Sequence, residues 1–149
     1  MARYSVDFQR TASLTLSLGS LVADATRPRR GKVYDLILGS EAAAADNPFL
    51  YTVQRCTAAG TSTGVTPQPL DPADAATEAD AGENHTIEPT YTAGAILLNI
   101  ALNQRATFRW QQDPAYGLVY PATAANGLGI QTDVGSTVII TATLQFEEQ

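Results

Sequence analysis

The chain has 149 residues, 44% hydrophobic and 16% charged, with fifteen acids against nine cations and a net charge of −6. That apolar share is enough for the core of one ordinary domain and excludes wholesale disorder. A single cysteine, Cys56, and a single histidine, His85, exclude an internal disulfide, a cysteine cage for zinc and a histidine metal cluster.

The N-terminus enters strand-like alternation at once, with Tyr4, Val6 and Phe8 between Ser5 and Asp7. No leader pattern precedes it, which predicts synthesis in a cytosol. Leu14, Leu16 and Leu18 alternate with Thr15 and Ser17 and predict a second strand. Arg27, Arg29, Arg30 and Lys32 then form a basic cluster just before a third. In that strand Tyr34, Leu36 and Leu38 run beside Val33 and Ile37, a pattern for burial on both faces. Glu41 to Ala45 reads as a loop with a helical turn at most, because Asn47-Pro48 follows. Phe49, Tyr51 and Val53 predict the next strand, which carries Cys56 as a buried structural thiol.

From Thr57 to Tyr91 large apolar residues almost vanish, and Gly60, Gly64, Pro67, Pro69, Pro72, Gly82 and Pro89 interrupt the chain. So long a connection is unusual in a compact domain. It reads as an irregular extended arm, with a short helix possible over Ala73 to Ala79. Asp71, Asp74, Glu78, Asp80, Glu83 and Glu88 give it six acids and no cation between Asp71 and Glu88. Fifteen acids less these six leave nine against nine cations, so the whole net charge sits in the arm. An acidic arm and the basic cluster at Arg27 to Lys32 are candidate contact residues, since opposite charges steer and register subunits.

Further strands are predicted over Ile96 to Leu102, Ala106 to Trp110 and the C-terminal run. In the last, Val138, Ile140, Ala142, Leu144 and Phe146 face one way and Thr137, Ile139, Thr141, Thr143 and Gln145 the other. Asp113-Pro114, Asn126-Gly127 and Val134-Gly135-Ser136 are turn signals between strands. Short strands at this spacing predict one all-β domain over 1–149, an antiparallel β-sandwich with the 57–91 segment as an arm within it.

The residues offer little for catalysis. His85 lies in the polar arm, where sequence alone predicts no means of excluding water. The acids of the arm do not follow a calcium-loop spacing, and Gly127-Leu128-Gly129 lacks the third glycine of a phosphate loop. No catalytic, cofactor or metal residues are therefore assigned. The acidic balance, with no aromatic platform beside the arginines, makes nucleic acid an unfavoured partner. The longest apolar run, Ala95 to Leu98, is too short to cross a bilayer as a helix. Trp110 with Tyr116 and Tyr120 could form a sugar-stacking face, though packing explains them as well.

The run from Gln54 to Asp74, ending Pro67-Gln68-Pro69-Leu70-Asp71-Pro72-Ala73-Asp74, resembles small structural proteins of tailed bacteriophages. So do Leu102 to Trp110, the Asn126-Gly127 turn and the Thr-rich final strand. The resemblance covers most of the chain. It implies a virion protein of the capsid decoration (cement) type, with a jelly-roll-like sandwich, often trimeric. The partners it implies are the major capsid protein and the chain's own copies, on the capsid exterior, after synthesis in the host cytoplasm. A surface binding module of the virion (head fibre base, tail component or glycan-binding domain) is the alternative.

Overall fold

The computed structural model describes all 149 residues. Twelve strands form two antiparallel sheets of six that pack face to face as a β-sandwich. In chain order they are β1 (Arg3–Thr11), β2 (Gly19–Val22), β3 (Gly31–Ala42), β4 (Pro48–Ala58), β5 (Thr61–Val65) and β6 (Gln68–Pro69). β7 (Asp80–Ile87), β8 (Thr90–Asn103), β9 (Phe108–Gln111), β10 (Leu118–Tyr120), β11 (Gly127–Thr132) and β12 (Ile139–Glu148) follow. One sheet runs β10-β3-β12-β1-β6, with β9 also paired to β3; the other runs β5-β7-β2-β11-β4-β8.

The alternation places the core. Tyr4, Val6 and Phe8 of β1 and Ile140, Ala142, Leu144 and Phe146 of β12 are all buried, and the two strands pair in unbroken register from Arg3↔Glu147 to Thr11↔Ile139. Facing them from the second sheet are Leu21, Phe49, Tyr51, Val53, Leu128 and Ile130. At roughly 1.5–3 kcal/mol for each fully buried large side chain, this interdigitated layer is the main stabilising term. β3 lies between β12 and the β9–β10 edge, and Val33, Tyr34, Asp35 and Leu36 are buried in succession. That matches the two-face burial expected of it.

Three local expectations are corrected. Leu14 to Leu18 is not a strand: Leu14 is 65% exposed, and the Ser13 hydroxyl accepts from the Thr15 amide at 3.3 Å. A hydroxyl offering the backbone a local partner competes with a ladder, and the strand begins instead at Gly19. Glu41 to Ala45 forms no helical turn, because β3 runs on to Ala42 and Ala43 then turns at φ 56°. Ala73 to Ala79 is not helical either. The Asp71 carboxylate accepts from the Ala73 amide and the Asp71 carbonyl from the Asp74 amide, both at 2.9 Å, which closes a single turn.

The largest correction concerns the 57–91 arm, which is not irregular. β4 kinks at Gly60 into β5, so that its ladder with β8 (Ala58↔Thr90) carries on as the ladder of β5 with β7 (Thr61↔Ile87); β6 crosses to the other sheet and pairs Tyr4↔Pro69 and Ser5↔Gln68, and β7 returns to lie between β5 and β2. The segment therefore laces the two sheets together along one side. Its ladder is made of backbone groups, so a Thr-, Gly- and Ala-rich sequence can carry it without large apolar side chains.

Candidate interaction surface

The lacing brings the basic cluster and part of the acidic arm to one place. Arg27 Nη2 lies 3.0 Å from Glu78 Oε2, with the arginine side chain largely in solvent. A depression of about 320 Å³ beside it is lined by Tyr4, Arg29, Asp74, Glu78 and Glu148. The C-terminal strand supplies what the sequence reading missed. Glu148 accepts from the Thr77 hydroxyl at 3.0 Å and from the Glu78 amide at 3.2 Å, and Glu147 lies 3.8 Å from Lys32 Nζ. Arg30 donates to the Gln149 side chain at 3.1 Å. The Tyr4 hydroxyl donates to the Ala75 carbonyl at 3.1 Å; burial first, and then Glu148, raise its pKa. The pairing of Glu147 and Glu148 with Lys32 and Gly31 follows from the β12–β3 register, which slips between Gln145 and Phe146, so the alternation of β12 did not reveal it.

The ten candidate contact residues thus divide. Arg27, Glu78 and Lys32 are engaged within the chain. Arg29, Arg30, Asp71 and Asp74 are exposed and make no ion pair, so both signs of charge remain available on one rim. Asp80 is exposed on β7, its carboxyl raised by desolvation and then by Asp24. Glu83 accepts from the Gln9 amide at 2.7 Å and helps tie β7 to β1.

Glu88 belongs to a polar knot beneath the surface. Its Oε2 accepts from the Ser17 hydroxyl at 2.7 Å and the Gln131 amide at 3.4 Å, and Ser17 Oγ lies 2.6 Å from the Tyr91 hydroxyl. Arg10 donates to the Ser17 carbonyl at 2.6 Å and the His85 carbonyl at 3.3 Å. His85 itself is 1% exposed, which corrects its expected place in a solvated arm. Its Nε2 lies 3.1 Å from both Ser20 Oγ and the Ala59 carbonyl, and burial lowers its pKa. None of the surface depressions is lined by His85 or Ser20. The knot joins β2, the β4–β5 turn, β7 and the start of β8, a clamp on the inserted strands.

A second buried charge was hidden in an apolar run. Asp35 on β3 has a side chain 1% exposed and accepts from Arg109 Nε of β9 at 2.9 and 3.1 Å, with Nη2 closing a bidentate pair. Of the aromatic trio, Tyr120 is fully buried, Trp110 half-buried and Tyr116 79% exposed. They do not form one stacking face, and Tyr120 is corrected to a core residue. Cys56 is buried on β4, and burial pushes its thiol up to about 11. No group of three or more His, Cys, Asp and Glu side chains is placed to hold a metal. Compared with known protein families and with curated protein sequences, the chain matches none of them.

Proposed function

We propose that this chain is a capsid decoration (cement) subunit of a tailed bacteriophage, stabilising the head by packing against the major capsid protein and its own copies. One observation carries the reading beyond sequence resemblance: the strand order. With β5–β7 set aside and β9–β10 counted as one strand, the remaining eight divide between the sheets in the orders 1-12-3-10 and 2-11-4-8. First and last strands are neighbours, an order that supports a jelly-roll reading, the architecture common among viral capsid and lectin domains. The inserted β5–β7 lacing is what this chain adds to that strand order.

The charge arrangement supports a docking role. Arg29 and Arg30 beside Asp71 and Asp74 present both signs on one rim, a pattern that fixes register against a neighbour. Stoichiometric copies in purified particles, and particles lacking the chain that burst at lower temperature, are the expected results. Arg29→Glu with Arg30→Glu is expected to weaken binding to such stripped particles, increasingly so at low salt. Absence of the chain from purified particles overturns the reading.

A virion surface binding module is supported separately by two exposed aromatics, Phe108 on β9 at 40% and Tyr116 in the turn after it at 79%. A glycan array comparing wild type with Trp110→Ala and Tyr116→Ala tests it; equal, empty arrays count against it.

A further inference from the structure

The four edges of the sandwich are not alike. Three are blunted in the ways sheets avoid pairing with other chains. β6 is two residues long and includes Pro69; β5 has five residues with Gly64 among them. The β9–β10 edge is split into pieces of four and three residues, with Arg109 in the first. β8 differs in length and in charge, although it too holds a glycine, Gly94. It is fourteen residues long, contains no charged residue and no proline, and reads Thr-Tyr-Thr-Ala-Gly-Ala-Ile-Leu-Leu-Asn-Ile-Ala-Leu-Asn. It ends its sheet, paired only to β4. Ala93, Gly94, Ile96 and Ala101 are exposed along it, Ile96 at 47%. Leu98 to Asn103 lie in unbroken register on β4, while register slips interrupt the ladder between Thr90 and Leu98.

We infer that the β8 edge is the contact between copies of this chain: two β8 strands pair antiparallel about a twofold axis, making one continuous sheet across two sandwiches. The inference rests on the reading that the chain packs against its own copies, and names the surface. Charge selects the occupant. In an isologous pair each side chain meets its own strand's residues, and like charges placed opposite one another destabilise. A strand with no charge at any of fourteen positions avoids that penalty in every register. An edge made for a different protein would gain selectivity from charges, which β8 lacks.

Area sets the strength. A fourteen-residue strand is about 46 Å long and a sheet about 10 Å thick, so full overlap covers at most about 900 Å² over both copies. That falls in the weak class of interface, below the ~1,200 Å² of lasting complexes. The pairing is therefore concentration-dependent in solution. It strengthens where a surface holds copies side by side, because effective concentration is then high.

The test is sedimentation velocity of the full chain over a series from micromolar to millimolar, with thermal melts alongside. Wild type is expected to rise toward twice the chain mass. Ile96→Lys with Ala101→Lys is expected to stay at one chain mass with an unchanged melt, since both side chains point into solvent. Should the double variant fail to fold, Ala101→Lys alone serves. A wild type that stays monomeric throughout, one that settles at three chain masses, or a folded variant that associates like wild type overturns the inference. If wild type decorates particles yet never dimerises, this inference falls and the decoration role stands. If it dimerises yet is absent from particles, the reverse holds.

Discussion

Replacing Gly60 by alanine asks whether the 57–91 segment is truly laced into the sandwich. Gly60 sits at the β4–β5 turn with φ +72°. A β-carbon there would lie 2.2 Å from the Ile87 carbonyl oxygen and 2.6 Å from the Glu88 carbonyl. Both obstacles are backbone, so no side-chain rotation relieves them. The left-handed conformation costs a residue with a β-carbon about 1–2 kcal/mol. Forcing the backbone apart adds about 1–3 kcal/mol, for a total near 2–5 kcal/mol. In a domain of this size that lowers the melting temperature by roughly 5–15 °C. Thermal unfolding followed by circular dichroism measures it, with urea melts for the free energy. The sign discriminates between the two structures. In a free arm the same change costs nothing, or stabilises by up to about 1 kcal/mol through the unfolded chain. An unchanged or raised melting temperature would refute the lacing.

Deleting Asp71 to Glu88 removes the whole of β7 and strips β2 and β5 of their common neighbour. A lost or strongly lowered cooperative melt with dye-binding apolar surface is expected, and a native-like melt would contradict the sheet order. His85 makes stability pH-dependent with a definite sign. Burial lowers its folded pKa below the 6.5 of the free side chain, so the unfolded chain takes up the proton first. Its contribution is full above pH 6.5 and is lost as pH falls through the lower folded value. Urea melts between pH 7.5 and 5 should show wild type losing more stability than His85→Gln; equal losses would remove His85 from the account. Cys56 should not react with a thiol reagent at pH 8 while the chain is folded and should react fully in denaturant, because its thiol is buried and titrates near 11. Arg27→Ala should change stability by no more than about 1 kcal/mol, since the pair with Glu78 is mostly solvated.

Period-two alternation alone determined the fold class, and the residues it assigned to one side of β12, Val138 to Phe146, are those that the core buries. Residue type pointed to Cys56 as a buried thiol, and a continuous apolar run to β3 as a strand covered on both faces. In those places side chains carry the pattern, because a face in the core must be apolar at every second residue. What only the tertiary structure decided lies where backbone or long-range pairing does the work. β5, β6 and β7 are held by ladder hydrogen bonds between backbone groups, which leave little mark on side-chain composition, so composition made an arm of what is sheet. His85 is buried because β2 and the Ala59 carbonyl come to it from residues 65 and 26 positions away in the chain. The net charge of the 71–88 segment was legible as a number. Its division into Glu78 paired with Arg27, Glu88 knotted beneath the surface and Asp71 and Asp74 left free was not, because the partners come from other strands. The β8 edge divides the same way. Its fourteen uncharged residues can be read from the chain, but that one side of them has no neighbour follows only from the order of strands in the sheet.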